Sequence, residues 1–352
     1  MQTILVTGGA GFIGSHTCLV LIENNYRVII IDSFVNSSKK SIDNIKKILT
    51  TKIKDLEKKL YVYEGDLRDE EFLDEVFSDC YQKKIPIEAV IHFAGLKAVS
   101  ESILNPEKYW DVNVNGSIKL FKTMEKYKCT KIVFSSSATV YGHSSSKLMN
   151  ENAPLNPKNP YGHTKLKIEN ILKGFISNKE IKWNIIILRY FNPIGAHPSG
   201  LIGEDPKNKP TNIFPLIINA ASKSSKTLEI FGNDWPTNDG TCIRDYIHVM
   251  DLAEAHFSSL VHTQNKKSDF LILNVGTGNG TTVLELVKVF EKVNKCKIAY
   301  KFVNRREGDI AKSIADNSLI LSKLKWINKR DLKDMCIDGW KWKLNNPEGY
   351  LS

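Results

Sequence analysis

Six short runs of apolar, largely β-branched residues punctuate the first half of the chain: ILVTG, RVIIID, LYVYEGD, AVIHFAG, KIVFSSS and NIIILRYFN. Amphipathic segments of helical length separate them. Strand-length runs alternating with helical patterns predict an α/β domain, a parallel sheet wound with helices on both faces. Each run ends in small or polar residues, and ligands of such open sheets bind at the carboxyl ends of the strands. After Asn192 the texture changes to proline and glycine punctuation, NPIGAHPSG, GEDPKNKP and GNDWPTNDG, with shorter regular pieces between. A second region begins there, although IHVMDLAEAHFSSLV and FLILNVG again read as a helix and a strand able to rejoin the sheet. The expectation is a doubly wound domain over residues 1–191 and a smaller α/β domain over 192–352, with about 247–275 returning to the first.

The first strand leads into TGGAGFIG, where Gly8, Gly11 and Gly14 sit between a buried strand and a helix starting near Phe12. Glycines there serve a tight turn, close approach of backbone amides to a pyrophosphate, and close helix-to-strand packing, which makes the sheet Rossmann-type. The spacing departs from GxGxxG, so the flanking strand and helix carry the argument more than the glycines do. Asp32 closes the second run where a carboxylate meets an adenosine ribose and repels a 2′-phosphate, which favours NAD over NADP. Phe12 and Ile13 at the helix start, Ser33, Phe34, Asn36 and Ser37 after Asp32, and Leu67 beside Asp66 complete this candidate cofactor site. Asp66, in EGDLRD after the third run, is placed to accept from the adenine amino group, and the HFAG turn from His92 to Gly95 lets backbone approach the cofactor.

With 42% hydrophobic, 25% charged and 9% aromatic residues over 352, the chain has the composition of a globular protein with ample core. No apolar run reaches the ~20 residues of a spanning helix, and the opening MQTILVTGG reads as a strand, so the expected location is the cytoplasm with no membrane partner. The six cysteines lack a CxxC pair and the eight histidines lack metal spacing, so neither a disulfide framework nor a metal site is expected. A net charge of +10 invites a nucleic-acid reading. The lysines are nevertheless diluted among acids, and from Ser38 to Lys59 they alternate with Ile and Leu at the spacing of a solvated amphipathic helix, so no nucleic-acid partner is expected.

The chemistry concentrates in Ser137, Tyr161 and Lys165. Tyr161 and Lys165 stand four apart in PYGHTKLKIEN, a helix following Pro160, so one helical face carries both. A nearby ammonium favours a phenolate and an oxidised nicotinamide would add a second positive charge, which together would make Tyr161 a base near neutral pH. Ser137, at the end of KIVFSSS, is placed to hold a substrate hydroxyl in line.

With these residues in place the sequence resembles the extended short-chain dehydrogenase/reductase family, in particular its branch acting at carbon 4 of UDP-hexoses. The resemblance runs end to end through TGGAGFIGSH, HFAGLKAVSES, FSSSATVYG, PYGHTK, LRYFNPIGAH, IFGNDWPTNDGTCIRDYIHVMDLAEAH and RREGD. It implies that Phe93, Ala94, Gly95, Leu96, Lys97, Asn113 and Phe191 contact NAD, with Tyr161 and Lys165. It also implies that Lys97, Ser137, Tyr161, Asn192, Asn212, Phe231, Arg244, Arg306 and Asp309 hold a UDP-hexose. The implied activity is interconversion of UDP-galactose and UDP-glucose through a transient 4-keto sugar, with NAD retained. Ser313 stands where family members carry either a bulky aromatic or a small residue lining the hexose pocket, and a small one leaves room for an N-acetyl group. A homodimer through the helices around Trp110 and Leu166 is a further implication. Another nucleotide-sugar epimerase shares all these features. A 4,6-dehydratase would want an Asp and a Glu where Ala138 and Thr139 precede VYG, and a non-catalytic NAD-binding regulator would have no use for Tyr161 and Lys165.

Overall fold

The computed structural model describes residues 1–142, 148–177, 180–207, 210–222, 227–265, 268–306 and 308–351. In chain order the strands are β1 (Thr3–Thr7), β2 (Arg27–Asp32), β3 (Leu60–Glu64), β4 (Ile87–His92), β5 (Lys131–Ser137), β6 (Asn184–Tyr190), β7 (Asn192–Ile194), β8 (Leu228–Phe231), β9 (Ile243–Arg244), β10 (Tyr246–His248), β11 (Asp269–Val275), β12 (Thr281–Thr282), β13 (Tyr300–Val303) and β14 (Lys312–Ser313).

Seven strands form one sheet in the order β11-β6-β5-β4-β1-β2-β3, and β1 pairs in parallel with both β2 and β4. All residues of β1 are buried and all but one of β2, as a strand covered on both faces requires, whereas β3 at the edge alternates. The register sets Thr7 opposite Ile31 on one side and His92 on the other, so the chemistry-bearing ends of β1, β2 and β4 lie level. The helix Phe12–Glu23 is buried without a break from Gly14 to Ile22, which matches its apolar sequence. The core here joins Leu5, Val90, Phe134, Trp183 and Ile187 to Phe77, Phe121 and Leu172 from the flanking helices.

The chain divides into two compact units. The first comprises Met1–Gly142, Leu155–Arg189 and Ala253–Leu273; the second comprises the described part of His143–Pro154 together with Tyr190–Leu252 and Asn274–Ser352. The returning segment is thus narrower than 247–275, and the sequence reading did not anticipate the short excursion before Leu155. In the second unit β7 pairs with β10 and β8 with β13, while β9 lies antiparallel to β12 and parallel to β14. Its core gathers Phe214, Leu286, Val287, Phe290 and Met335, and capping boxes at Thr282/Glu285 and Asp331/Asp334 fix the starts of two of its helices.

Candidate active site

In the first unit the glycines make a cradle. Gly8 has φ of +69°, and a Cβ there would stand 2.8 Å from the Ala94 amide nitrogen. A Cβ on Gly14 would come within 2.2 Å of the Gly8 carbonyl oxygen, so helix and strand meet backbone to backbone. Gly11 caps the helix with no side-chain hydrogen bond, and its own Cβ would meet only the Gly8 carbonyl at 3.3 Å. The amides of Phe12, Ile13 and Gly14 and the positive end of the helix dipole are therefore presented to an anion, as a dinucleotide pyrophosphate requires.

Asp32 does more than end its strand. Its carboxylate accepts from the amides of Ala10 and Phe34, both at 2.9 Å, and from the Ser37 hydroxyl at 2.7 Å. A carboxylate has roughly four acceptor sites, so it shapes the loop and keeps capacity for a ribose hydroxyl. Ser33 and Asn36 are exposed beside it. Asp66 has a partner within the chain: Arg68 reaches both its oxygens, from Nε at 3.1 Å and from Nη2 at 2.7 Å, and also reaches Asp111 at 2.7 Å. The Arg68 hydrogen bonds hold the Asp66 carboxyl below its usual range, and an adenine amino group would have to share it. Leu67 beside it is buried.

The amides of Phe93 and Ala94 both donate to the Thr7 carbonyl, at 3.0 and 3.1 Å. Phe93 packs on His256 at 4.6 Å between ring centroids, and Lys97 is exposed. His92 is locked between the Thr7 and Ser117 hydroxyls, and burial pushes its imidazole down to about 3, so it is a neutral pin. Asn113 lies in a π-helical turn, Trp110–Asn115, and acts as a clamp. Its Oδ1 accepts from the Leu96 amide at 2.7 Å, and its Nδ2 donates to the Leu96 carbonyl at 3.0 Å and to the Thr164 hydroxyl at 3.1 Å. Both its amide protons are committed, so its hold on a cofactor is mainly through the Gly95–Lys97 loop that it ties to the Tyr161 helix.

Tyr161 and Lys165 are 8% and 4% exposed on the helix Pro160–Ser177, and the Lys165 Nζ lies 5.8 Å from the Tyr161 ring centroid. That ammonium donates to the Ser135 carbonyl at 2.7 Å and faces the Phe134 ring. The Ser137 hydroxyl accepts from the Thr139 amide at 3.2 Å. Burial pushes the Tyr161 phenol up to about 12, with the Ser137 hydroxyl opposing, and pushes the Lys165 ammonium down to about 8, with Glu169 opposing. Burial thus opposes the phenolate that a base near neutral pH needs, and the Ser137 hydroxyl favours it.

Of the expected sugar-nucleotide residues, Asn192, Asn212, Phe231, Arg244, Arg306, Asp309 and Ser313 lie in the second unit. Asp309 pairs with Arg306 at 3.0 Å and with Arg244 at 3.6 Å, and the Arg306 guanidinium lies 5.4 Å from the Phe231 ring centroid. Asp245, the neighbour of Arg244, is instead buried and accepts from Thr277, Gly278 and Ala315. Two arginines against one aspartate leave a surplus cation suited to phosphate oxygens. Ser313 stands opposite Arg244 in the β14–β9 register. Asn212 caps the helix Ile213–Ala221 without using its side chain, Asn192 donates its amide to the Asp245 carbonyl, and Phe191 is buried.

Sequence reasoning missed Glu169, Arg189 and Tyr141, a buried polar group in the first unit. Arg189 grips Glu169 with Nη2 at 2.6 Å and Nε at 3.0 Å and donates to the Tyr141 hydroxyl at 3.1 Å. The signal was present: a lone arginine inside the apolar run NIIILRY demands a buried anion, and Glu169 continues the Tyr161–Lys165 spacing by one more turn.

Among known families, the model described as GDP-mannose 4,6 dehydratase matches residues 5–338. A Bacillus subtilis UDP-glucose 4-epimerase is 48% identical over 100% of this chain and 99% of its own. A UDP-glucose 4-epimerase from Stenotrophomonas maltophila, crystallised with NAD and formylated UDP-arabinopyranose, superposes with a TM-score of 0.92 at 40% identity, covering 99% of each chain. One from Bifidobacterium longum, in complex with NAD+ and UDP, gives 0.91 at 42% identity over 99% of this chain and 100% of its own. Full-length similarity of this order, over a glycine cradle and a buried Tyr161–Lys165 pair, places the chain in the UDP-glucose 4-epimerase family.

Proposed function

We propose that the chain interconverts UDP-galactose and UDP-glucose by removing and returning one hydride at carbon 4, with NAD retained through the cycle. The observation that carries this reading is the burial of Tyr161 and Lys165 on one helical stripe, in the same unit as the glycine cradle. Bound NAD supplies the hydride acceptor and donor, together with a positive charge. Tyr161 takes the O4 proton and later gives it back, and Ser137 holds the hydroxyl in line. Lys165 is the cation that stabilises the phenolate against its burial. Gly8, Gly11, Gly14 and Asp32 hold the dinucleotide, and the Asp32 carboxylate repels a 2′-phosphate.

Arg244 and Arg306 hold the pyrophosphate, while Asn192, Asn212 and Phe231 hold the rest of UDP. Anchoring falls on the nucleotide because the keto sugar must present its other face to be reduced to the epimer. Ala138 and Thr139 offer no carboxyl group for removing water, so the cycle ends in epimerisation and not dehydration. The small Ser313 extends the substrates to UDP-N-acetylhexosamines. The exposed Val99, Ile103, Leu104 and Trp110, on elements beside the Tyr161 helix, suit a homodimer face. Among the described residues no helix is long and apolar enough to cross a membrane; a cytoplasmic location fits six free cysteines. Tyr161→Phe should lower conversion by about 10²–10⁴-fold with bound NAD and melting temperature unchanged; a near-parental rate contradicts the reading.

A further inference from the structure

Three consecutive residues at the end of β5 are each engaged by the Pro160–Ser177 helix. Ser135 accepts the Lys165 ammonium through its carbonyl at 2.7 Å, Ser136 donates its hydroxyl to Glu169, and the Ser137 hydroxyl faces the Tyr161 phenol. Tyr161, Lys165 and Glu169 succeed one another at four-residue spacing and are all buried. Glu169 is in turn fixed by Arg189, at 2.6 Å, and Arg189 by Tyr141. A buried ion pair of this kind is weak support for stability, since apolar replacements often serve as well, and its placement against the reacting residues is the more telling feature.

We propose that Glu169, held by Arg189, is a positioning residue for the epimerisation: by pinning Ser136 it fixes the Ser135 carbonyl, the Lys165 ammonium and the Ser137 hydroxyl against Tyr161. This rests on the roles proposed above for Tyr161 and Lys165. The groups facing Lys165 are Tyr161, His92 and Glu169, with Arg189 behind Glu169; His92 is neutral, so Glu169 is the anion that helps Lys165 keep its proton. Removing that anion leaves the Arg189 cation behind, and both changes lower the pH at which Lys165 discharges.

The test uses the full chain as purified and compares the parent with Glu169→Gln, Ser136→Ala and Lys165→Met. Glu169→Gln should lower kcat about tenfold or more with KM within about twofold, and move the basic limb of the kcat/KM profile to lower pH. Ser136→Ala keeps the ion pair, so it should lower kcat less and leave the limb in place, with melting temperature and bound NAD near parental. A parental kcat in both variants, or a Glu169→Gln loss confined to melting temperature and bound NAD with the limb unmoved, overturns the positioning role. Should Glu169→Gln fail to fold, a parental kcat in Ser136→Ala overturns it alone. Lys165→Met separates the two readings: if it retains the parental rate, the Tyr161–Lys165 assignment itself falls; if it is inactive while Glu169→Gln is unimpaired, only the positioning role falls.

Discussion

Burial disfavours the phenolate of Tyr161 and the ammonium of Lys165 alike. In the proposed cycle Lys165 serves as a cation, and burial lowers its ammonium to about 8, below the ordinary lysine value. The working form is therefore present below that value and lost above it, so kcat/KM for UDP-galactose should decline as pH rises through about 8. A pH profile of initial rates checks this, and a flat profile well past that point would remove Lys165 from the mechanism. Ser313 supplies a second prediction at this scale. Ser313→Tyr should cut conversion of UDP-N-acetylglucosamine by about tenfold or more relative to UDP-glucose, measured as a ratio of kcat/KM values; an unchanged ratio shows that this side chain does not bound the sugar pocket. The Tyr161–Lys165 spacing was legible because a helix repeats every four residues or so. The engagement of Asp66 by Arg68 was not, since two residues of opposite charge so close in sequence do not announce whether they meet each other or a ligand.

Elements differed in how plainly the chain announced them. The central strands were readable because a strand covered on both faces must be apolar throughout, as RVIIID and AVIHFAG are. The π-helical turn Trp110–Asn115 was not readable, because WDVNVN looks like any helical stretch and the wider turn exists only in the backbone. Its consequence is mechanical: it presents Asn113 to Leu96 and Thr164 at once, tying the loop after β4 to the helix of Tyr161. Asn113→Ala leaves the half-buried Leu96 pairing unmade and should destabilise the protein by about 1 kcal/mol in chemical denaturation. It should also reduce the NAD that copurifies, read from absorbance after release. A variant with parental stability and full cofactor would mean that the clamp is incidental.

At the scale of the molecule, the chain is shared between two units with separate cores, and each draws on distant stretches of sequence. Ala253–Leu273, a helix and apolar strand following irregular chain, groups with the first unit, and the limits of that segment depend on tertiary packing that local pattern does not encode. The first unit exposes Ile103 and Leu104 at 61% and 79%, more apolar surface than isolated positions warrant. Leu104→Glu should convert the proposed homodimer to a monomer in light scattering at micromolar concentration; a parental mass would move the interface elsewhere. The central claim, a hydride lent to a resident cofactor and taken back, is tested most directly by giving the purified protein UDP-galactose with no NAD added. The account predicts UDP-glucose forming over many turnovers with no net change in the absorbance of reduced cofactor, and conversion that requires a continuous external supply of NAD would contradict it.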